Sequence, residues 1–444
     1  MQAVCAAEDN TVLQTPVQAG SWQAARNEQT SGNYDINVFQ QLLTGTGEQT
    51  ISVSQAFGQA EFEAVKALDG FGEFGSYYED GLHNPYEVGM VDGVLINGPD
   101  TNITVENAAV QVSAEKLDEP QYVEVGGIYH REGSAAYGGE TMTVNVTSAA
   151  DVDSEEESWV YGYAVENPLG WAETQRQATF NADKTSISAE STSTNGTLAI
   201  AFLVSTDALD EPQVTFARGE TSLSAKTAAE SKSAIALYLH NSDGNIGKNA
   251  AVTLNEGASL KLAASGGEAR GLHADHGTFT SNGTLDITAK SNGDNDAYGI
   301  FAGGDAVLQF NGATTVYAQG EGDAHALYVG RDPAEDAGEE TPSGSLPSVT
   351  FGTGSTTALN GAVYIEAGHA VAVNGTVNVT GDFDAAGDIT GTGPCDEPIV
   401  QYGLAAIKRL QLLGGNLIKA HDALEAIRCL PIRHEALPIH SAST

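Results

Sequence analysis

Cysteine is almost missing from this 444-residue chain: there are three, Cys5, Cys395 and Cys429, each near an end. The body between them can hold neither a disulfide framework nor a thiolate metal centre. Basic residues are scarce too, 19 Lys+Arg against 59 Asp+Glu, which gives a formal charge of −40. Such a balance repels phosphates and argues against nucleic acid or anionic lipid as a partner. Long apolar runs are also lacking. The longest, Leu198 to Val204, falls far short of the ~18 residues of a spanning helix, so no membrane-spanning segment is expected. Thirteen prolines beside 51 glycines exclude collagen. What is present is 41% hydrophobic residue, enough for a core and too much for wholesale disorder.

One short pattern recurs: a small residue, an apolar one, often an aromatic, then an apolar one. It runs Gly93-Val94-Leu95-Ile96, Gly127-Ile128-Tyr129-His130, Gly162-Tyr163-Ala164-Val165, Ala201-Phe202-Leu203-Val204 and Ala236-Leu237-Tyr238-Leu239. It continues as Gly271-Leu272-His273-Ala274, Gly299-Ile300-Phe301-Ala302, Ala326-Leu327-Tyr328-Val329 and Ala362-Val363-Tyr364-Ile365. The small residues are 34, 35, 39, 35, 35, 28, 27 and 36 apart, the scatter of a constant unit with variable loops. Two further short, alternating stretches follow each anchor, such as Val214-Thr215-Phe216 and Ser222-Leu223-Ser224-Ala225. Asn-Gly and Gly-Gly pairs, for example Asn282-Gly283, mark the corners between them.

Three short strands per unit cannot bury a face alone, but stacked as rungs they share one core. The expected fold is all-β: a right-handed parallel β-helix with three strands per coil. The competing arrangement is an antiparallel sandwich, since Asn-Gly also closes hairpins; a three-part order that returns nine times favours the solenoid. Residues one and three after each anchor should point inward, and both columns are nearly all apolar. His130, the polar member of one, reads as an end-of-strand residue rather than a ligand. Residues 1–85 lack the repeat and read as an irregular N-terminal cap, with a short helix over Gln55 to Leu68. The solenoid is expected over 86–393, with an acidic Pro-rich insertion at 331–347. Residues 394–444 change character, carrying 5 basic and 3 acidic residues from Val400 onward. They read either as a helical tail or as sequence foreign to the body, from a frame change near Gly393. At the other end, Met1-Gln2-Ala3-Val4-Cys5-Ala6-Ala7 looks like the last part of a secretory signal whose earlier parts are missing, or is no signal at all.

Chemical motifs are few. Gly70-Phe71-Gly72-Glu73-Phe74-Gly75 spells GxGxxG, but the strand before and helix after it that a dinucleotide site needs are lacking. The acidic clusters at Asp151–Glu157, Asp294–Asp296 and Glu335-Asp336 offer oxygens of the kind Ca²⁺ takes, yet none has an EF-hand spacing; solvated loops are the plainer reading, and no cofactor is expected. His273-Ala274-Asp275-His276 is the densest histidine cluster, without a zinc spacing. No Gly-x-Ser-x-Gly elbow points to a Ser-His-Asp set. The residue two after each anchor should point outward, and Tyr129, Tyr238, Phe301, Tyr328 and Tyr364 there would form an exposed aromatic stripe, a candidate platform for sugar rings. The alternative is that the rings only stack on one another or lie under loops.

Coils such as Gly299-Ile300-Phe301-Ala302-Gly303-Gly304 and Asn374-Gly375-Thr376-Val377-Asn378-Val379 resemble passenger segments of bacterial type V autotransporters, over about residues 90–390. The resemblance implies a β-helical adhesin, sometimes a cytotoxin or carrier of an enzyme, exported through a C-terminal outer-membrane barrel. It places the protein on the surface or outside of a Gram-negative bacterium, with a host surface glycan or matrix protein as partner. The chain departs from that family in having no barrel strands at its C-terminus and no complete signal peptide, and so reads as a fragment. The expected function is a non-catalytic, adhesin-like or structural passenger. The alternative is a polysaccharide lyase or glycoside hydrolase on the same scaffold, built from Asp275, Asp296 and Asp323 with Arg270 nearby.

Overall fold

The computed structural model describes residues 13–17, 22–28, 34–68, 87–118, 121–151, 158–166, 176–194, 197–206, 211–228, 232–241, 250–331 and 346–392. Three sheets run the length of the molecule, of 13, 11 and 10 strands, and every link between coils is parallel. The chain visits the sheets in turn, so each lap contributes one strand to each: a parallel β-helix. Ten laps are complete: coils 1 to 10, at 34–57, 87–114, 123–148, 158–191, 197–227, 234–266, 269–291, 297–319, 324–360 and 362–379. An eleventh, 383–390, has strands in the first two sheets.

The expected inward columns hold. Val94, Ile128, Leu272 and Leu327 lie in one continuous core, each 2% exposed or less. On the second and third sheets alternation is strict, as in Met142, Val144 and Val146, which face inward between outward threonines and an asparagine. In coils 1 to 9 the first sheet breaks the alternation once per lap; in coil 10 the anchor Ala362 pairs with His325 and nothing is skipped. The pairing passes from Asp92–Gly126 to Val94–Ile128 and skips the anchors Gly93 and Gly127. The same skip recurs between Tyr161–Ile200 and Tyr163–Phe202. Anchor and follower therefore both point inward, and Ala201 and Phe202 are both fully buried in the core. This explains why the anchor is small. A Cβ on Gly127 would stand 2.3 Å from Val144 Cγ1 and 2.5 Å from Gly162 O, inside any tolerable contact.

Aromatic residues fill the lumen of coils 3 to 5 as two stacked columns meeting edge-on. Tyr137, Phe180 and Phe216 stack at 5.2 Å spacing, Tyr163 stacks on Phe202 at 4.9 Å, and the columns cross at 69–86°.

A lap precedes the first anchor. Tyr34–Leu43 pairs in parallel with Glu87–Ile96, and Ser52–Phe57 with Ala109–Ala114, so rungs begin at residue 34, before the repeat is visible in the sequence. Below that lap, Leu13–Pro16 and Gln23–Glu28 extend the first sheet antiparallel. The helix falls at Gln59–Lys66, shorter than expected because Ser52–Phe57 is strand. Its Phe62 and Val65 join Trp22 and Phe57 in the core, where Trp22 meets the Phe57 ring edge-on at 5.7 Å and donates its indole N–H to Ala56 O. This group closes one end of the cylinder. The expected tail at 394–444 and the GxGxxG run lie outside the described residues.

Candidate functional site

On coils 2 to 5 the first sheet is largely buried on both faces. Four outward positions per lap remain once the skipped anchor is counted: three and one before it, two and four after it. On coils 1 to 6 these carry a second apolar layer, including Phe39, Met90, Leu95, Tyr129, Tyr161, Ile200, Leu203 and Ile235. From coil 6 onward the layer turns polar and aromatic.

There, Arg270 pairs with Glu268 and lies against the rings of Tyr298 and Phe301, its guanidinium carbon 5.4 and 4.9 Å from their centres. Arg270 Nη1 also reaches His273, whose Nε2 is 2.8 Å from Asp275 Oδ1. Tyr238 donates its hydroxyl to Asp275 Oδ2 at 3.0 Å and touches His240 Nδ1 at 2.9 Å. Burial alone would raise the Asp275 pKa; the charge and hydrogen bonds of His273 and His240 outweigh it and hold the carboxyl well below its usual range. Further along, Tyr298 donates to Asp296 Oδ2 at 3.0 Å, and Asp296 Oδ1 accepts the Asp323 amide at 2.8 Å. Burial pulls the His325 pKa down against the opposing charges of Asp323 and Asp296.

The expected exposed stripe is corrected by this geometry. Tyr129 is 2% exposed and Phe301 fully buried, while Tyr238, Tyr328 and Tyr364 are half-buried. The rings stack face to face along the column: Tyr238 on His273, Phe301 on Tyr328 at 5.2 Å, and Tyr328 on Tyr364 at 4.8 Å. A neighbouring column, Tyr298 on His325, meets them edge-on. Where rings stack, the shared faces are taken: Tyr328 lies between Phe301 and Tyr364, while Tyr129 meets Tyr161 only at a tilt. The expected acid cluster is also rearranged. Glu268, Asp296 and Asp323 occupy one outward position on three successive coils, whereas Asp275 sits at the far side of the aromatic column with His240. Tyr298, Glu268 and His325 were missed because the skipped anchor moves the outward positions ahead of it out of the simple alternation; His240, four after its anchor, lies beyond the four-residue pattern.

Two buried polar sites lie nearer the N-terminus. Asp92, on the outer face of coil 2, is fully buried; Tyr161 of coil 4 donates to its Oδ1 at 2.6 Å, and Oδ2 has no hydrogen-bond partner. Burial pushes the Asp92 pKa up to about 7, with the Tyr161 hydrogen bond opposing. The tyrosine reaches across coil 3 because residue 126 is glycine: a Cβ there would lie 2.2 Å from both Asp92 Oδ1 and the Tyr161 ring. His130 ends its strand, Val123–His130, as expected, and its buried ring faces the lumen. Its Nε2 is 3.1 Å from Gly133 O, an acceptor only, so Nε2 carries the proton. Nδ1 then accepts from Tyr163, which accepts from Tyr137, each at 3.0 Å. Burial pulls the His130 pKa down to about 4, with Arg176 adding to the effect.

Among the described residues no three His, Cys, Asp or Glu side chains converge on a metal position, and no helix is long and apolar enough to cross a membrane. Asp151 instead bonds Lys116 and Ser193, which lower its pKa. No family model, curated protein or solved structure matches the chain.

Proposed function

We propose that this chain is a passenger-type β-solenoid of the cell surface or of secreted proteins. It works without catalysis as a rigid rod that presents one decorated side for adhesion to a surface glycan or matrix protein. The observation that carries this reading is where the connections lengthen. Between the second and third sheets no connection exceeds four residues. The two corners that border the first sheet vary widely, from single residues to the stretches between Phe57 and Glu87 and between Val329 and Ser348. Sequence variation in length is concentrated along both edges of one sheet, as in folds that carry binding loops on a fixed scaffold. The aromatic and ionic layer beneath supports those edges.

The test is a binding screen of the purified chain against glycans and matrix proteins, beside a variant in which the connection from Val329 to Ser348 is cut to two glycines. Binding that falls tenfold or more in the variant, with an unchanged circular dichroism spectrum, is expected. Absence of binding to every surface, or binding indifferent to this and to each other long connection, overturns the reading.

One observation favours a second reading, a glycoside hydrolase. Asp296 and Asp323 hold the same outward position on adjacent rungs, whose backbones lie about 4.8 Å apart, a placement that can bring two carboxyls together as a glycosidase pair requires. Against it, both Asp296 oxygens are already occupied. Cleavage of a neutral or uronate glycan that is abolished in Asp296→Asn would replace the adhesive reading with this one.

A further inference from the structure

The second sheet has an outer face unlike the other two. From coil 3 to coil 10 none of its outward side chains is charged. Its central column reads Thr179, Thr215, Thr253, Thr280, Gln309 and Thr350 on coils 4 to 9, all in unbroken register. These side chains are half-buried or exposed, and the strands between them carry no skipped residue. At the border with the third sheet, Asn311 donates to Asn282 at 2.9 Å, so coils 7 and 8 are uncharged around the corner too, whereas on coils 3 to 6 the corner carries Glu140, Asp183, Arg218 and Glu256. The third sheet instead carries ionic pairs between coils, Lys226–Glu190 and Lys261–Glu220, both at 2.6 Å. The first carries the Glu268, Asp296 and Asp323 row.

We propose that the outer face of the second sheet is a docking surface for a second copy of this chain, the two second sheets meeting back to back. The argument is electrostatic and geometric. A molecule of formal charge −40 repels its own copies. Charges beyond the Debye length of about 8 Å at physiological ionic strength are screened, so close approach is cheapest where a face has no charges of its own. Short corners of four residues or fewer border this face on the third-sheet side. Eight rungs at about 4.8 Å and strands of four residues at about 3.3 Å give a footprint of roughly 500 Å² per copy. Two copies would then bury about 1,000 Å², the lower limit for a specific interface. The association is therefore weak, reversible and two-fold symmetric, with Thr and Gln of one copy opposite those of the other.

Analytical ultracentrifugation of the full chain across a concentration series, at low and high sodium chloride, tests this. A monomer–dimer equilibrium that tightens with salt is expected, because screening relieves the like-charge repulsion. Thr280→Glu should weaken it at least tenfold by placing carboxylates opposite each other; Ser224→Glu, on the third sheet, should leave it unchanged. Mixing Thr280→Glu with Thr280→Lys copies should restore association, which a merely misfolded variant cannot do. A monomer at every concentration and salt overturns the proposal, as does a dimer indifferent to Thr280→Glu. So does a monomer that instead adsorbs to an insoluble neutral polysaccharide through a contact sensitive to Thr280→Glu. Loss of adhesion in the loop-shortened variant reads a corner connection, and Thr280→Glu alters the strand face and leaves every connection intact, so either reading can fail alone.

Discussion

Asp92 and His130 are buried titratable groups whose effects on stability run in opposite directions. For Asp92 the folded pKa of about 7 lies above the unfolded value of 3.8. Its contribution is complete below pH 3.8 and is lost as pH rises through about 7, a change of about 4 kcal/mol. For His130 the folded pKa of about 4 lies below 6.5. Its contribution is complete above pH 6.5 and is lost as pH falls through about 4, about 3 kcal/mol. Between pH 4 and 6.5 the two trends offset each other. Asp92→Asn should therefore gain stability relative to the parent steadily from pH 4 to 8, by up to about 4 kcal/mol, measured as urea midpoints along a pH series. A constant difference would show that Asp92 is ionised throughout. Gly126→Ala should lose the Tyr161–Asp92 hydrogen bond and strand a buried carboxyl, costing about 1–3 kcal/mol. None of this was legible in the chain: Asp92 and Tyr161 meet only because coils 2 and 4 stack with a glycine between them. His130 could be placed in the inward column from its spacing, but its hydrogen-bonded partners across the lumen could not.

At the level of strands, the repeat was readable because one steric demand imposes it. From coil 2 to coil 9 the skipped residue of the first-sheet strand is Gly or Ala, and the glycines face the third sheet without room for a larger side chain. Gly127→Val should therefore destabilise more than an ordinary surface change, by about 3 kcal/mol or more, through overpacking and displacement of Val144; thermal melts would measure it. The expectation of an exposed stripe misjudged Tyr129 and Phe301 for a different reason. Counting two residues past an anchor gave the correct face, but face and exposure are different quantities, and ring orientation follows from the neighbouring rungs. Tyr328→Ser removes two stacked contacts and should cost about 1–3 kcal/mol. If its stability is unchanged while adhesion disappears, the ring is a ligand contact after all and the stacking account fails.

Over the whole molecule, the parallel solenoid was visible from period and punctuation, and its first lap was not. Coil 1 has Gln40 at the skipped position instead of a small residue, since Phe39 pairs with Asp92 and Gln41 with Val94. The long stretch from Phe57 to Glu87 hides the period as well. A sequence search for anchors therefore starts one rung late. Wherever a rung does obey the pattern, it can be exchanged. Ala269 pairs with Ala297 and Leu272 with Ile300, so deleting residues 269–296 would bring coil 8 into the place of coil 7 with the inward columns in phase. The shortened chain should fold with a cooperative melt and unchanged circular dichroism per residue.

That interchangeability has a consequence for how such a molecule changes over generations. Copying or dropping one whole lap alters reach by a fixed increment and leaves the cross-section alone, so overall length can drift freely. The two borders of the first sheet can meanwhile diversify in step with whatever surface they meet.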